Sequence, residues 1–115
     1  MLSVPFEIGE VHGGFSEAHG VAYVEDEYLV LEVQTAFLGM FKKDPRTYWI
    51  DLTDLESVRY KRGLRKDRLT LRASTLDVLD AVPGVQKGEL RLLVRRKDRG
   101  ALDVLLDRLD LWRAD

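Results

Sequence analysis

The stretch DRGALDVLLDRLDLW, residues 98–112, decides how the chain is read. Leu102, Leu105, Leu106, Leu109 and Trp112 recur at intervals of three and four residues. At about 100° per residue they share one face with Ala101, as in a helix packed on a core. Arg99, Asp103, Asp107 and Asp110 fall on the polar face. Asp98 is placed to act as N-cap, its carboxylate accepting a bond from a first-turn amide. Gly100 weakens the first turn, and no proline interrupts the run. Val104 and Leu111 lie off the core face, one heptad apart, as scattered surface residues or a minor contact stripe.

Before this helix the chain reads mainly as short strands. Val4 to Val11 is a short strand that Pro5 confines to a sheet edge, because proline has no N–H to give a second neighbour. Gly20–Val24 and Tyr28–Thr35 form a hairpin around the acidic turn Glu25-Asp26-Glu27. In its second strand Leu29, Leu31 and Val33 alternate with Val30, Glu32 and Gln34. Thr47–Leu52 puts Tyr48, Ile50 and Leu52 on one face. Leu55–Arg62 turns Val58 and Tyr60 inward. Arg68–Ser74 does the same with Leu69, Leu71 and Ala73, and Glu89–Lys97 with Leu90, Leu92 and Val94. Thr75–Val82 fits either a helical turn (Leu76, Leu79, Val82) or a short strand (Leu76, Val78). Short strands at this spacing indicate a meandering antiparallel sheet that curls into a sandwich or barrel.

Composition bounds the function. The 115 residues suffice for one domain with a real core. There is no cysteine, which excludes disulfides, thiol nucleophiles and Cys-ligated zinc and suits a reducing cytosol. The start carries no basic, apolar leader pattern, so a cytoplasmic protein is expected. Charge is unevenly written. Before Lys42 there are seven acids and no Lys or Arg, and from Lys42 to Arg72 ten bases face five acids. Such asymmetry either produces opposite-signed faces, favouring self-association or an ionic partner, or averages out if the strands interleave.

The segments GVAYVEDEYLVLEV (20–33), YWIDLTDLESVRY (48–60), DRLTLRAS (67–74) and ELRLLVRRKDRGALDVLLDRLDLW (89–112) together resemble the pleckstrin-homology-like superfold, and within it small bacterial PH-like and GRAM-like domains. The resemblance covers roughly residues 20 to 112. It implies a mainly β protein: a partly open antiparallel barrel of about seven strands, capped by one C-terminal helix. Residues 20–115 would then be the domain and residues 1–19 an N-terminal edge-strand and loop extension. Phosphoinositide-binding members carry Lys and Arg around the first hairpin. Here Glu25, Asp26 and Glu27 stand there and would repel a phosphate, so that site is not carried over.

Two patches are candidate contact sites. Phe37, Leu38, Met40 and Phe41, followed by Lys42 and Lys43, place apolar tips beside cations, which suits docking on another chain or shallow contact with an anionic membrane. Arg59, Lys61, Arg62, Arg65, Lys66 and Arg68 are the densest basic run, with Asp67 alone opposing, and suit phosphate or carboxylate groups. Tyr60 is the one aromatic among them and points inward, which disfavours nucleic acid. His12 and His19, each two residues after a glutamate, have no fixed geometry for a metal. There is no nucleophile elbow, no phosphate-cradling glycine loop and no HExxH. Asp51, Asp54 and Glu56 read as surface carboxylates in turns. The expectation is a non-enzymatic module without cofactor that binds itself or another protein. A peripheral anionic-lipid or phosphate binder using Arg59–Arg68 is the alternative.

Overall fold

A computed structural model describes residues 2–11, 16–37, 40–41 and 45–113; of residues 10, 11, 16, 36, 37, 40, 41 and 110–113 it describes the backbone alone. Eight strands precede one helix: β1 (Val4–Val11), β2 (Ser16–Glu25), β3 (Tyr28–Phe37), β4 (Met40–Phe41), β5 (Arg46–Asp51), β6 (Leu55–Lys61), β7 (Lys66–Ala73), β8 (Glu89–Arg95) and α1 (Arg99–Arg113). They form one antiparallel sheet in the order β3-β2-β1-β8-β7-β6, with β4 and β5 sharing the outer edge of β3. The fold is therefore mainly β, curled but not closed, with a single C-terminal helix.

The β2–β3 hairpin forms because Asp26 accepts a positive φ of 52° in a two-residue turn, a conformation that Asp tolerates better than most residues. Opposite that turn, the chain passes from β5 to β6 through a 3-10 turn, Leu52–Asp54. The Asp51 carboxylate caps it, accepting from the Thr53 amide at 2.9 Å and the Thr53 hydroxyl at 2.8 Å. The Leu52 amide donates to the Glu27 carbonyl, and the Ser74 amide donates to the Asp54 carbonyl. This turn thus ties together the two ends of the sheet. Beyond it β5 pairs with β3 and β6 with β7, and among the described residues the two do not pair with each other.

β1 is not an edge strand but lies between β2 and β8. Pro5 is tolerated because the ladder to β8 is confined to Glu7↔Leu93, so nothing on that side requires its missing N–H. Asp98 makes no capping bond. A 3-10 turn, Arg96–Asp98, precedes α1, and the Arg99 amide donates to the Arg96 carbonyl instead.

The core is built from the predicted alternating sets. Leu29, Leu31, Leu69, Leu71, Leu90 and Leu92 are almost fully buried and meet Leu102, Leu105 and Leu109 of α1. Each such side chain contributes about 1.5–3 kcal/mol of burial. The helix packs against β1, β2, β8 and the 3-10 turn after β5. Near its far end Arg108 donates to the Val24 carbonyl at 3.3 Å. Thr75–Val82 is neither helix nor strand. It is a series of turns that drives Leu79 (0 % exposed) and Val82 (3 %) into the core and leaves Leu76 outside. Gly20 is needed where β2 bends toward β3, since a β-carbon there would collide with the Glu32 carbonyl.

Candidate functional site

The predicted basic run folds as a hairpin. Arg59 and Lys61 lie on β6, Arg62 and Arg65 in the loop, and Lys66 and Arg68 on β7. Neighbouring strands extend the basic surface, which the local run did not reveal. Lys61 pairs in register with Arg68, and Thr70 separates Arg59 from Arg91 of β8. Arg72 and Arg95 complete the outer face. The outward phase of Arg91 and Arg95 in β8 was the available signal.

Several of these cations are occupied. Arg59 reaches Glu89 at 2.7 Å, and Arg72 lies 3.3 Å from Glu56 and 3.6 Å from Glu89. Lys66 and Arg95 grip Glu7 at 2.8 and 3.1 Å and hold its carboxyl below the usual range against partial burial. These bridges are largely exposed and contribute little stability. Lys61, Arg65, Arg68 and Arg91 are exposed and make no ion pair among the described residues.

Asp67 behaves differently from its neighbours. Its side chain is fully buried, in phase with Leu69 and Leu71. Arg99, the first residue of α1, donates to it through Nε at 2.8 Å and Nη2 at 2.7 Å. The Tyr60 hydroxyl donates at 2.6 Å and the Gly63 amide at 3.1 Å. Arg99 also donates to the Gly63 carbonyl at 3.0 Å. The Arg99 bonds foremost hold the Asp67 carboxyl far below the ordinary carboxylate range, and those of Tyr60 and Gly63 add to them against the opposing effect of burial. Every polar atom is matched, as a buried charge requires. The cluster shapes the hairpin tip and leaves Leu64 standing 91 % exposed between Gly63 and Arg65.

The other outer face, on β2, β3 and β5, is acidic and aromatic. Val30 points outward between Tyr23 of β2 and Trp49 of β5, and it is fully buried all the same. Trp49 is 54 % exposed and meets Tyr28 edge-on, with ring centroids 5.8 Å apart. Glu32 bonds the Tyr23 hydroxyl and raises its pKa. Glu17, Glu25 and Glu32 share this face, and Asp26 and Glu27 sit at its end. The acids and bases of the sequence are thus partly segregated, with Arg46 on β5 and with Glu7, Glu56 and Glu89 among the bases as the exceptions. In a meander, consecutive strands lie side by side, so the early acidic strands form one half of the sheet and the later basic strands the other.

Of the apolar candidates, Phe37 ends β3 and Met40–Phe41 form β4 beside it, with their side chains outside the described residues. Leu38, Lys42, Lys43 and His12 lie outside them altogether, as does the Leu111 side chain. Val104 is 45 % exposed on α1. His19 stands on β2 in register with Glu7 of β1. Asp51 is engaged as a cap and Glu56 with Arg72. Among the described residues no three His, Asp or Glu converge as a metal site, and no helix is long and apolar enough to cross a membrane.

Among the described residues, two grooves lie on the outer surface. One, of about 860 Å³, runs over β1 and β2 past Glu7, His19 and Arg95. The other, of about 570 Å³, lies over β1, β7 and β8 and is lined by Gly9, Arg68, Lys87, Glu89, Arg91 and Leu93 among others. No protein-family model, no curated protein and no solved structure matches this chain.

Proposed function

We propose that this chain is a non-enzymatic interaction module of the pleckstrin-homology-like kind, acting in a bacterial cytoplasm, whose partner is protein and foremost a second copy of itself. The meander, the unsealed seam between β5 and β6 and the helix packed inside the curl are features that support placing it with such domains. The observation that carries the interaction reading is Trp49. An indole 54 % exposed on a sheet face, braced by Tyr28 and backed by a fully buried valine, is the kind of rigid aromatic anchor that dominates protein interfaces. The deciding measurement is molar mass by light scattering over a wide concentration range. Mass rising above the monomer supports the reading. A monomer at every concentration ends it.

A second reading has its own observation, the exposure of Leu64. An apolar tip flanked by Arg62 and Arg65 suits contact with an anionic surface through the hairpin Arg59–Arg68. Each basic residue near such a surface is worth about 1 kcal/mol. Leu64→Ser with Arg65→Ser should therefore weaken sedimentation with phosphatidylserine vesicles at least about fivefold. Equal binding of the wild type to phosphatidylserine and to neutral phosphatidylcholine vesicles would remove this reading.

A further inference from the structure

We infer that copies of this chain associate head to tail, with Trp49 of one copy seated in the groove lined by Arg68 and Arg91 of the next. This rests on the self-association reading and assigns its two surfaces. The projecting element is Trp49, with Tyr28 against its ring and Glu25 and Glu32 on the same face. The receiving element is the groove of about 570 Å³ over β1, β7 and β8. The groove has room for a flat ring, because Gly9 has nothing within 4 Å of where a side chain would begin and Leu93 supplies apolar surface. Its lining carries Arg68 and Arg91, the cations of this face that β7 and β8 leave without an acid among the described residues. A guanidinium over an indole is a favourable stack, and more so once water is excluded. Glu89 also lines the groove, but Arg59 and Arg72 already hold it. The charges agree as well, since an acidic aromatic face meets a basic groove.

One chain cannot satisfy itself. β3 and β2 lie between β5 and β1, the nearest strand of the groove, so the two elements are at least three strand spacings apart, about 14 Å along the outer surface. Two different patches that fit each other make a heterologous contact. Such a contact propagates into rings or open chains rather than stopping at a symmetric dimer.

The test uses two variants of the whole chain, each first shown to be folded by circular dichroism. Trp49→Ser removes the projecting ring and keeps the groove. Arg68→Glu with Arg91→Glu spoils the groove and keeps the ring. The wild type should grow past a dimer with concentration, and less so as salt is raised. Each variant alone should stay monomeric, with association weakened at least tenfold. Mixed in equal amounts, the two should form a one-to-one complex that grows no further. A variant that still assembles by itself, or a mixture no heavier than its parts, overturns the head-to-tail arrangement while wild-type self-association stands. A wild type that remains monomeric throughout removes the self-association reading and this inference with it. Should Trp49→Ser prove unfolded, Trp49→Tyr serves in its place, with a smaller loss expected.

Discussion

Asp67→Ala is expected to destabilise the protein by about 3–5 kcal/mol, the usual consequence of stranding one member of a buried ion pair. Arg99 would keep its charge with a side chain 19 % exposed, and the Tyr60 hydroxyl and the Gly63 amide would lose their acceptor at once. A domain of this size has about 5–15 kcal/mol in all, so the variant should sit near its unfolding threshold. Chemical denaturation at neutral pH measures this directly, and a midpoint within error of the wild type would show the cluster to be dispensable. The pH dependence has a definite sign. The folded carboxyl lies far below its unfolded value of about 3.9. Its contribution is fully present above that value and is lost as pH falls toward the folded one. The wild type should therefore lose more stability than Asp67→Asn as acid is added below about pH 4. Glu7, whose carboxyl is also lowered, contributes equally to both proteins and drops out of the comparison.

The second large effect is expected at a residue in a loop. Leu79→Ala should destabilise by about 2–5 kcal/mol, as for a leucine in the middle of a strand. Leu79 is wholly buried, and the segment that carries it is held by the Val82 amide donating to the Leu79 carbonyl. Leu76→Ala, three residues earlier and 68 % exposed, should change little. Thermal unfolding of the two variants side by side would decide the matter, and equal melting temperatures would mean that the turns do not plug the core.

The contrast between these two leucines shows what was legible in the sequence. Strands with one face in the core declare themselves by alternation, which is why Leu29, Leu31 and Val33, or Leu90, Leu92 and Val94, fell on the correct side. The helix declared itself by its three-and-four spacing. Thr75–Val82 has no period because its burial follows the path of the turns, so Leu76 and Leu79 look alike until the chain is folded. Asp67 carried a signal that was easily passed over: it stands in the inward phase of Leu69 and Leu71. Its partner Arg99 is 32 residues away, and no local pattern joins them. The outward place of Trp49 was implied by Tyr48 and Ile50 on either side of it. The proposed contact surface was legible only in part, because the separation of charged patches depends on strand order. Val4–Val11 shows how a proline can mislead about that order when the neighbouring ladder is short.

The meeting of β1 with β8 has a further consequence, for time rather than stability. Glu7 and Leu93 stand about three-quarters of this sequence apart, yet their pairing joins the two halves of the sheet. As the polypeptide emerges during synthesis, the hairpin of β2 and β3 can form early from local contacts. The joining strand must wait until β8 has appeared, and α1 cannot settle before that. Contacts of such long range slow folding, because the loop has to close before the contact repays it. β1, although it precedes β2 and β3, is therefore among the last of these strands to be fully paired, and until then its apolar face, Val4, Phe6 and Ile8, stays without the cover that β8 and α1 provide.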